Sequence, residues 1–171
     1  MDFKHLSVSD GRDIYEMLQE LPANENGFVN GINGYSFDDY KKWLIKSENI
    51  AKGVNLADWM VPQNIYWLYS DDGKPVGIGK LRHRLTEKLL VEGGHAGYAI
   101  RPSSRNCGFG KLLLKQLIVE ARHIGIVKLL LTVQNHNMAS ISIAMANGGV
   151  IEKISEERHF IWIDCRDGQT N

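Results

Sequence analysis

The chain has 171 residues, 43% of them hydrophobic, enough to bury one substantial core, so a single domain over residues 1–171 is expected. Twenty Lys and Arg balance twenty Asp and Glu, and the formal net charge is zero, which argues against a dedicated nucleic-acid or anionic-membrane surface. No apolar run reaches transmembrane length, Met1-Asp2-Phe3-Lys4-His5 lacks the apolar stretch of a signal peptide, and only two cysteines occur; a cytoplasmic protein without a structural disulfide is expected.

Ile14, Met17, Leu18 and Leu21 recur at helical spacing, and with Ser9 as N-cap they predict a first helix ending near Leu21. Asn24 to Gly34 holds three glycines and four asparagines, a composition that predicts a loop. Ser36 then caps a second helix, with Asp39 at the reciprocal capping position and Tyr35 and Tyr40 placed as a hydrophobic staple. Tyr40, Trp43 and Leu44 form its inner face. Ile65 to Tyr69 reads as a strand, Asp71-Asp72-Gly73-Lys74-Pro75 as a turn, and Val76 to His83 as the antiparallel partner.

Gly97-Tyr98-Ala99-Ile100 is a further short strand. Pro102, which cannot donate to a ladder, marks its exit. Then comes Arg105-Asn106-Cys107-Gly108-Phe109-Gly110-Lys111, followed by Leu113, Leu114, Leu117, Ile118 and Ala121 at helical spacing. A glycine turn at a helix start leaves backbone N–H groups unpaired, and with the helix dipole they suit a phosphate or pyrophosphate. Gly108 and Gly110, lacking Cβ, let the backbone approach such an anion. A Walker A loop needs Gly where Arg105 stands and Ser or Thr where Leu112 stands; a dinucleotide fingerprint needs Gly at Leu113. Neither motif fits. Gly125 ends the helix, Val127 to Gln134 reads as a buried strand, and Asn135, Asn137 and Ser140 lead into a short helix with Met138, Ile141 and Met145 on one face. Asn147-Gly148-Gly149 stops it, and strands Val150 to Ile154 and His159 to Asp164 follow.

The Arg-x-x-Gly-x-Gly loop after Ile100-Arg101-Pro102, then helix, strand, Asn-containing turn, helix ending in Asn-Gly-Gly and a strand pair, resembles the core of the GNAT N-acetyltransferase superfamily from Gly93 to Asp164. The resemblance implies an α/β (α+β mixed-sheet) fold, mostly antiparallel and flanked by helices. In it the strand ending at Ile100 splays from the strand at Leu129 to Val133. Residues 1–92 would form the acceptor side and 93–164 the acetyl-CoA core. It implies transfer of an acetyl group from acetyl-CoA to a primary amine of a small molecule or peptide in a ternary complex, in a homodimer. The competing reading is an acyl-CoA-binding GNAT module that acts as sensor or scaffold.

By the same resemblance, residues Arg105 to Lys111 hold the CoA pyrophosphate, and the pantetheine arm adds beside the backbone of Tyr98 and Ile100. Asn137 contacts CoA and also suits the N-cap of its helix, with Ser140 beside it. The family's catalytic glutamate aligns with Gly94 and its thiolate-protonating tyrosine with Ala144, so both are missing. Glu92, placed on the same strand face as Gly94 by alternation, is one candidate base and His95 another, with Tyr98 as acid. His83 and His95 end neighbouring strands and are expected near each other. Tyr35 and Trp59, in loop sequence, join His83 as acceptor-pocket candidates, whereas Trp43 and Trp67 read as core. The histidines and cysteines show no metal-ligand spacing, so no metal is expected.

Overall fold

The computed structural model describes residues 1–166, so the last five residues of the expected domain lie outside it. In chain order the elements are β1 (Asp2–His5), α1 (Arg12–Glu20), β2 (Asn24–Glu25), β3 (Phe28–Val29), α2 (Phe37–Ala51), β4 (Gln63–Tyr69), β5 (Pro75–Arg82), α3 (Glu87–Val91), β6 (Ala96–Ile100), a 3-10 turn (Pro102–Ser104), α4 (Phe109–His123), β7 (Lys128–Gln134), α5 (Met138–Ala146), β8 (Val150–Ile154) and β9 (Arg158–Asp164). Two antiparallel sheets carry the molecule, in the order β1-β4-β5-β6 and β7-β9-β8, with β2 and β3 a small separate ribbon. No helix among the described residues is long and apolar enough to cross a membrane.

Strand alternation sorts the packing. On β5, Gly77 and Gly79 face α4 so closely that a Cβ would stand 3.2 Å from Leu113 Cδ2 and 2.9 Å from Leu117 Cδ2, respectively, and at Gly77 it would also meet Ile100 Cδ1 of β6 at 2.8 Å. Leu81 joins Leu114 and Leu117 on that face, and Val76 packs with Leu113. Ile78 lies on the opposite face with Ile65 and Trp67, against Ile14, Met17 and Leu18 of α1 and Tyr40 and Leu44 of α2. Lys80 and Arg82 therefore also turn away from α4.

Ser36 caps α2 as expected, its Oγ accepting the Asp39 N–H at 3.1 Å. The staple does not form: Tyr35 is exposed, and the rings around Tyr40 are Tyr15, Phe37 and Trp43. Ser9 does not cap α1. The Asp10 carboxylate accepts from Ser7 N–H and Trp67 Nε1, closing a turn that delays the helix until Gly11 takes the cap position. The expected loop after α1 contains the β2–β3 hairpin, turned by Asn26 and Gly27 at φ 50 and 82°. The inner face of α5 is Ile141 and Ala144, not Met138 and Met145, which are exposed. The helix α3 had no signal, because it is short and buries no side chain.

Candidate active site

The two sheets meet at one point and then part. His95 N–H donates to Leu130 O at 2.8 Å, and the His95 ring Nδ1 accepts the Leu130 N–H at 3.0 Å. Gly93 N–H adds a bond to Thr132 Oγ1 at 2.9 Å. Beyond this apex β6 pairs with β5 and β7 with β9, and no ladder joins β6 to β7 among the described residues. The free edge of β6 lines a cleft of about 630 Å³ that runs from the N-terminus of α4 to β3 and β5. An unpaired strand edge of this kind offers backbone donors and acceptors to an extended ligand.

At the α4 end, Gly108 is the N-cap with φ 81°, a left-handed conformation that glycine adopts without strain, and open space surrounds its Cβ direction. No side chain caps this helix, and its first ladder bond is Leu112 N–H to Gly108 O at 3.2 Å. The amides of Phe109, Gly110 and Lys111 precede that bond, at the positive end of the helix dipole. Gly110 serves packing instead: a Cβ there would meet Ile143 Cδ1 of α5 at 2.7 Å. The Arg105 guanidinium forks onto the Glu25 carboxylate of β2, and its Nε donates to Ile100 O at 3.1 Å. Arg101 and Ser103 likewise hold Glu20 of α1. The loop is thus tied to the N-terminal half by three side chains. Asn106 takes φ 61°, while Cys107 and Lys111 are exposed.

In the middle of the cleft the Tyr98 and Ser140 hydroxyls lie 2.8 Å apart. Burial pushes the Tyr98 phenol up to about 12, so at neutral pH it holds its proton and is able to donate it. Asn137 lines the same wall and caps α5 through Ser140 N–H at 3.2 Å. Ile100 lies on the β6 edge. The two positions at which the family side chains are missing are closed by packing. Ala144 is fully buried, and Gly94 sits at φ 59° with its Cβ direction only 2.4 Å from Leu130 O, which leaves no room for a glutamate.

The remaining expected site residues separate. Glu92 is not on a strand; it is the C-cap of α3, with its N–H bonded to Lys88 O at 2.8 Å. Its carboxylate stands at the mouth of the cleft, mostly in solvent, paired with Arg158. His95 is buried, and its acceptor nitrogen is engaged by Leu130, so the other ring nitrogen carries the proton of the neutral form. Burial, then the Arg82 charge, depress its pKa to about 4. His83 bonds Asn64 Oδ1 at 3.0 Å, and the β5–β6 junction sets Arg82, not His83, against His95. Neither His83, Tyr35 nor Trp59 lines the cleft; Trp59 is 77% exposed.

Two side chains that the sequence reading passed over do line it. Lys80 Nζ donates to Val29 O at 2.6 Å and lies 4.5 Å from the Phe28 ring centroid, and Arg82 Nη1 donates to Gly93 O and Gly94 O at 3.0 and 3.1 Å. The signal was available: two cations at alternate positions in a strand whose other positions are apolar or glycine.

Residues 24–148 match the model of the Acetyltransferase (GNAT) family, and the chain belongs to that family. It is an acetyltransferase, and none of the curated proteins matches it. Solved structures share the fold. A GNAT-family acetyltransferase from Streptococcus pneumoniae is 19% identical with TM-score 0.64, covering 94% of this chain and 97% of its own. A mutant spermidine N-acetyltransferase from Vibrio cholerae is 15% identical with TM-score 0.64, covering 96% and 95%. A putative acetyltransferase from Salmonella typhimurium, solved with its cofactor acetyl-CoA, is 14% identical with TM-score 0.59, covering 100% and 97%.

Proposed function

We propose that this protein transfers the acetyl group of acetyl-CoA directly to a primary amine of a small molecule or peptide. The observation that carries the reading is the continuous cleft along the free edge of β6, open at an uncapped helix N-terminus at one end and at Lys80 and Arg82 at the other. Such a cleft lets donor and acceptor meet without a covalent enzyme intermediate. Amides of residues 108–111 hold the pyrophosphate, the backbone of Tyr98 and Ile100 aligns the pantetheine arm, and Asn137 and Ser140 close the opposite wall. The Tyr98 hydroxyl, supported by Ser140, is placed to protonate the departing thiolate. His95 holds the apex, and Glu92 takes the ammonium proton to solvent at the mouth.

Calorimetric titration with acetyl-CoA, followed by an assay of free thiol against a panel of amines, tests the proposal. Acetyl-CoA binding without thiol release on any amine would instead favour the sensor or scaffold reading. Glu92→Gln is expected to lower kcat/KM by about tenfold with acetyl-CoA affinity unchanged, less than an enclosed base contributes, because this carboxylate stands in water and shares its charge with Arg158. An unchanged kcat/KM would place the proton path elsewhere.

A further inference from the structure

The far end of the cleft has an unbalanced charge. Three cations line it, Lys80, Arg82 and Arg158, and of the two carboxylates in the cleft wall Glu92 is paired with Arg158 and Glu25 with Arg105. Lys80 and Arg82 have no carboxylate within 4.0 Å among the described residues; their partners are the backbone carbonyls of Val29, Gly93 and Gly94. Each keeps further donors. Lys80 has three N–H groups and uses one, and Arg82 has five and uses those of Nη1, which leaves the Nε and Nη2 edge in the fork that matches a carboxylate. Lys80 feels the deficit, its pKa pushed down to about 8 by burial and by Arg82.

From these observations we infer that the acceptor is a small amine that carries its own carboxylate, and that Lys80 and Arg82 hold that carboxylate while the amine reaches the β6 edge; the inference rests on the transfer reaction proposed above. Geometry supports it. Lys80 and Arg82 share one strand face, about 7 Å apart along the strand. Lys80 is directly opposite Gly97 of β6 in the ladder, and Gly97 adds no side chain between the cation and the cleft. Adjacent strands lie only about 5 Å apart, so an amine one to a few bonds from the acid group spans the gap. Charge supports it as well. A polyamine would bring additional positive charge beside two unneutralised cations, whereas an amino-carboxylate neutralises one of them. The same cations favour the neutral over the protonated amine, which is the form that attacks.

The test compares amino-carboxylates with their own amides and with spermidine, in two readouts: thiol release from acetyl-CoA, and calorimetric binding to the CoA-loaded protein. For at least one amino-carboxylate the free acid is expected to exceed its amide by about tenfold or more in kcat/KM and in affinity. In Lys80→Met, which keeps the apolar stem, and in Arg82→Gln that preference is expected to fall to about twofold with acetyl-CoA affinity retained. Arg82→Lys, which keeps the charge, should retain part of it. Spermidine or the amides serving the wild type as well as the free acids, or a preference that survives in Lys80→Met, would overturn the inference. The two proposals fail separately. If no amine releases thiol, transfer is lost, yet binding of the free acid over its amide to the CoA-loaded protein, abolished in Lys80→Met, still upholds the anion site, and equal binding of acid and amide refutes it.

Discussion

Gly108→Asp is expected to abolish acetyl-CoA binding while leaving the protein folded. Two features of the position separate those effects. Space is open around the Cβ direction, and aspartate is one of the few side-chain-bearing residues that visit the left-handed region, so the φ of 81° costs only about 1–2 kcal/mol. The introduced carboxylate, however, stands at the positive end of α4, where it satisfies the amides and repels a pyrophosphate. Loss of about a hundredfold or more in affinity is expected from like charges brought together at such a site. Gly108→Ala is the control, with the backbone strain but no charge, and should bind acetyl-CoA nearly as the wild type does. Calorimetry on the two folded variants decides the matter: equal affinity of Gly108→Asp and wild type would remove the α4 N-terminus from the cofactor site. Gly110→Ala should behave differently: its methyl must displace Ile143 Cδ1, 2.7 Å away at the end of its side chain, so its effect falls on the α4–α5 packing rather than on binding.

The second large effect is acid sensitivity centred on the sheet apex. The pKa of His95 is depressed from its ordinary 6.5 to about 4, by burial first and by Arg82 second. A group whose folded pKa lies below its unfolded value binds its proton more readily in the unfolded chain. Stability is therefore full above about pH 6.5 and falls as the pH drops toward 4, by roughly 3 kcal/mol for a shift of this size. Protonation also removes the acceptor from Leu130 N–H, loosening the point from which β6 and β7 diverge. His95→Asn, whose amide oxygen is able to accept from Leu130 without titrating, should flatten the dependence between pH 6.5 and 4. Exposed carboxylates held low by partners, such as Glu20 beside Arg101, titrate in both proteins and cancel in the comparison. Parallel denaturation curves for wild type and His95→Asn would refute the assignment. If His95 were also the catalytic base, the variant would lose turnover at every pH in addition to flattening the stability profile.

A linear sequence holds what neighbouring residues decide among themselves. The loop from Arg105 to Lys111, the helix after it and the Ser36 cap were legible because each depends on neighbours within one or two turns: the capping geometry of Ser36 and Asp39, the left-handed Gly108, the helical spacing of Leu113, Leu114 and Leu117. The order of elements from Gly93 to Asp164 was legible for the same reason, and with it the family. Glu92 was misplaced because a five-residue helix that buries nothing leaves no periodic trace. The Met138 and Met145 face was misread because period alone does not say which side of a short helix the rest of the molecule covers.

By itself, then, the sequence determined the Ser36 cap, the succession of elements from Gly93 to Asp164 and the glycine-lined helix start. Tertiary structure alone decided which side chains share the cleft. Arg105 is held by Glu25 from 80 positions away, Arg158 meets Glu92 across 66, and His95 closes on Leu130 across 35. Those meetings follow from how two sheets pack and where their ladders stop, quantities that no short window of residues encodes. Lys80 and Arg82 carry the same charge on any strand; what makes them a candidate anion site is that folding places them in one cleft and gives every carboxylate nearby to another partner.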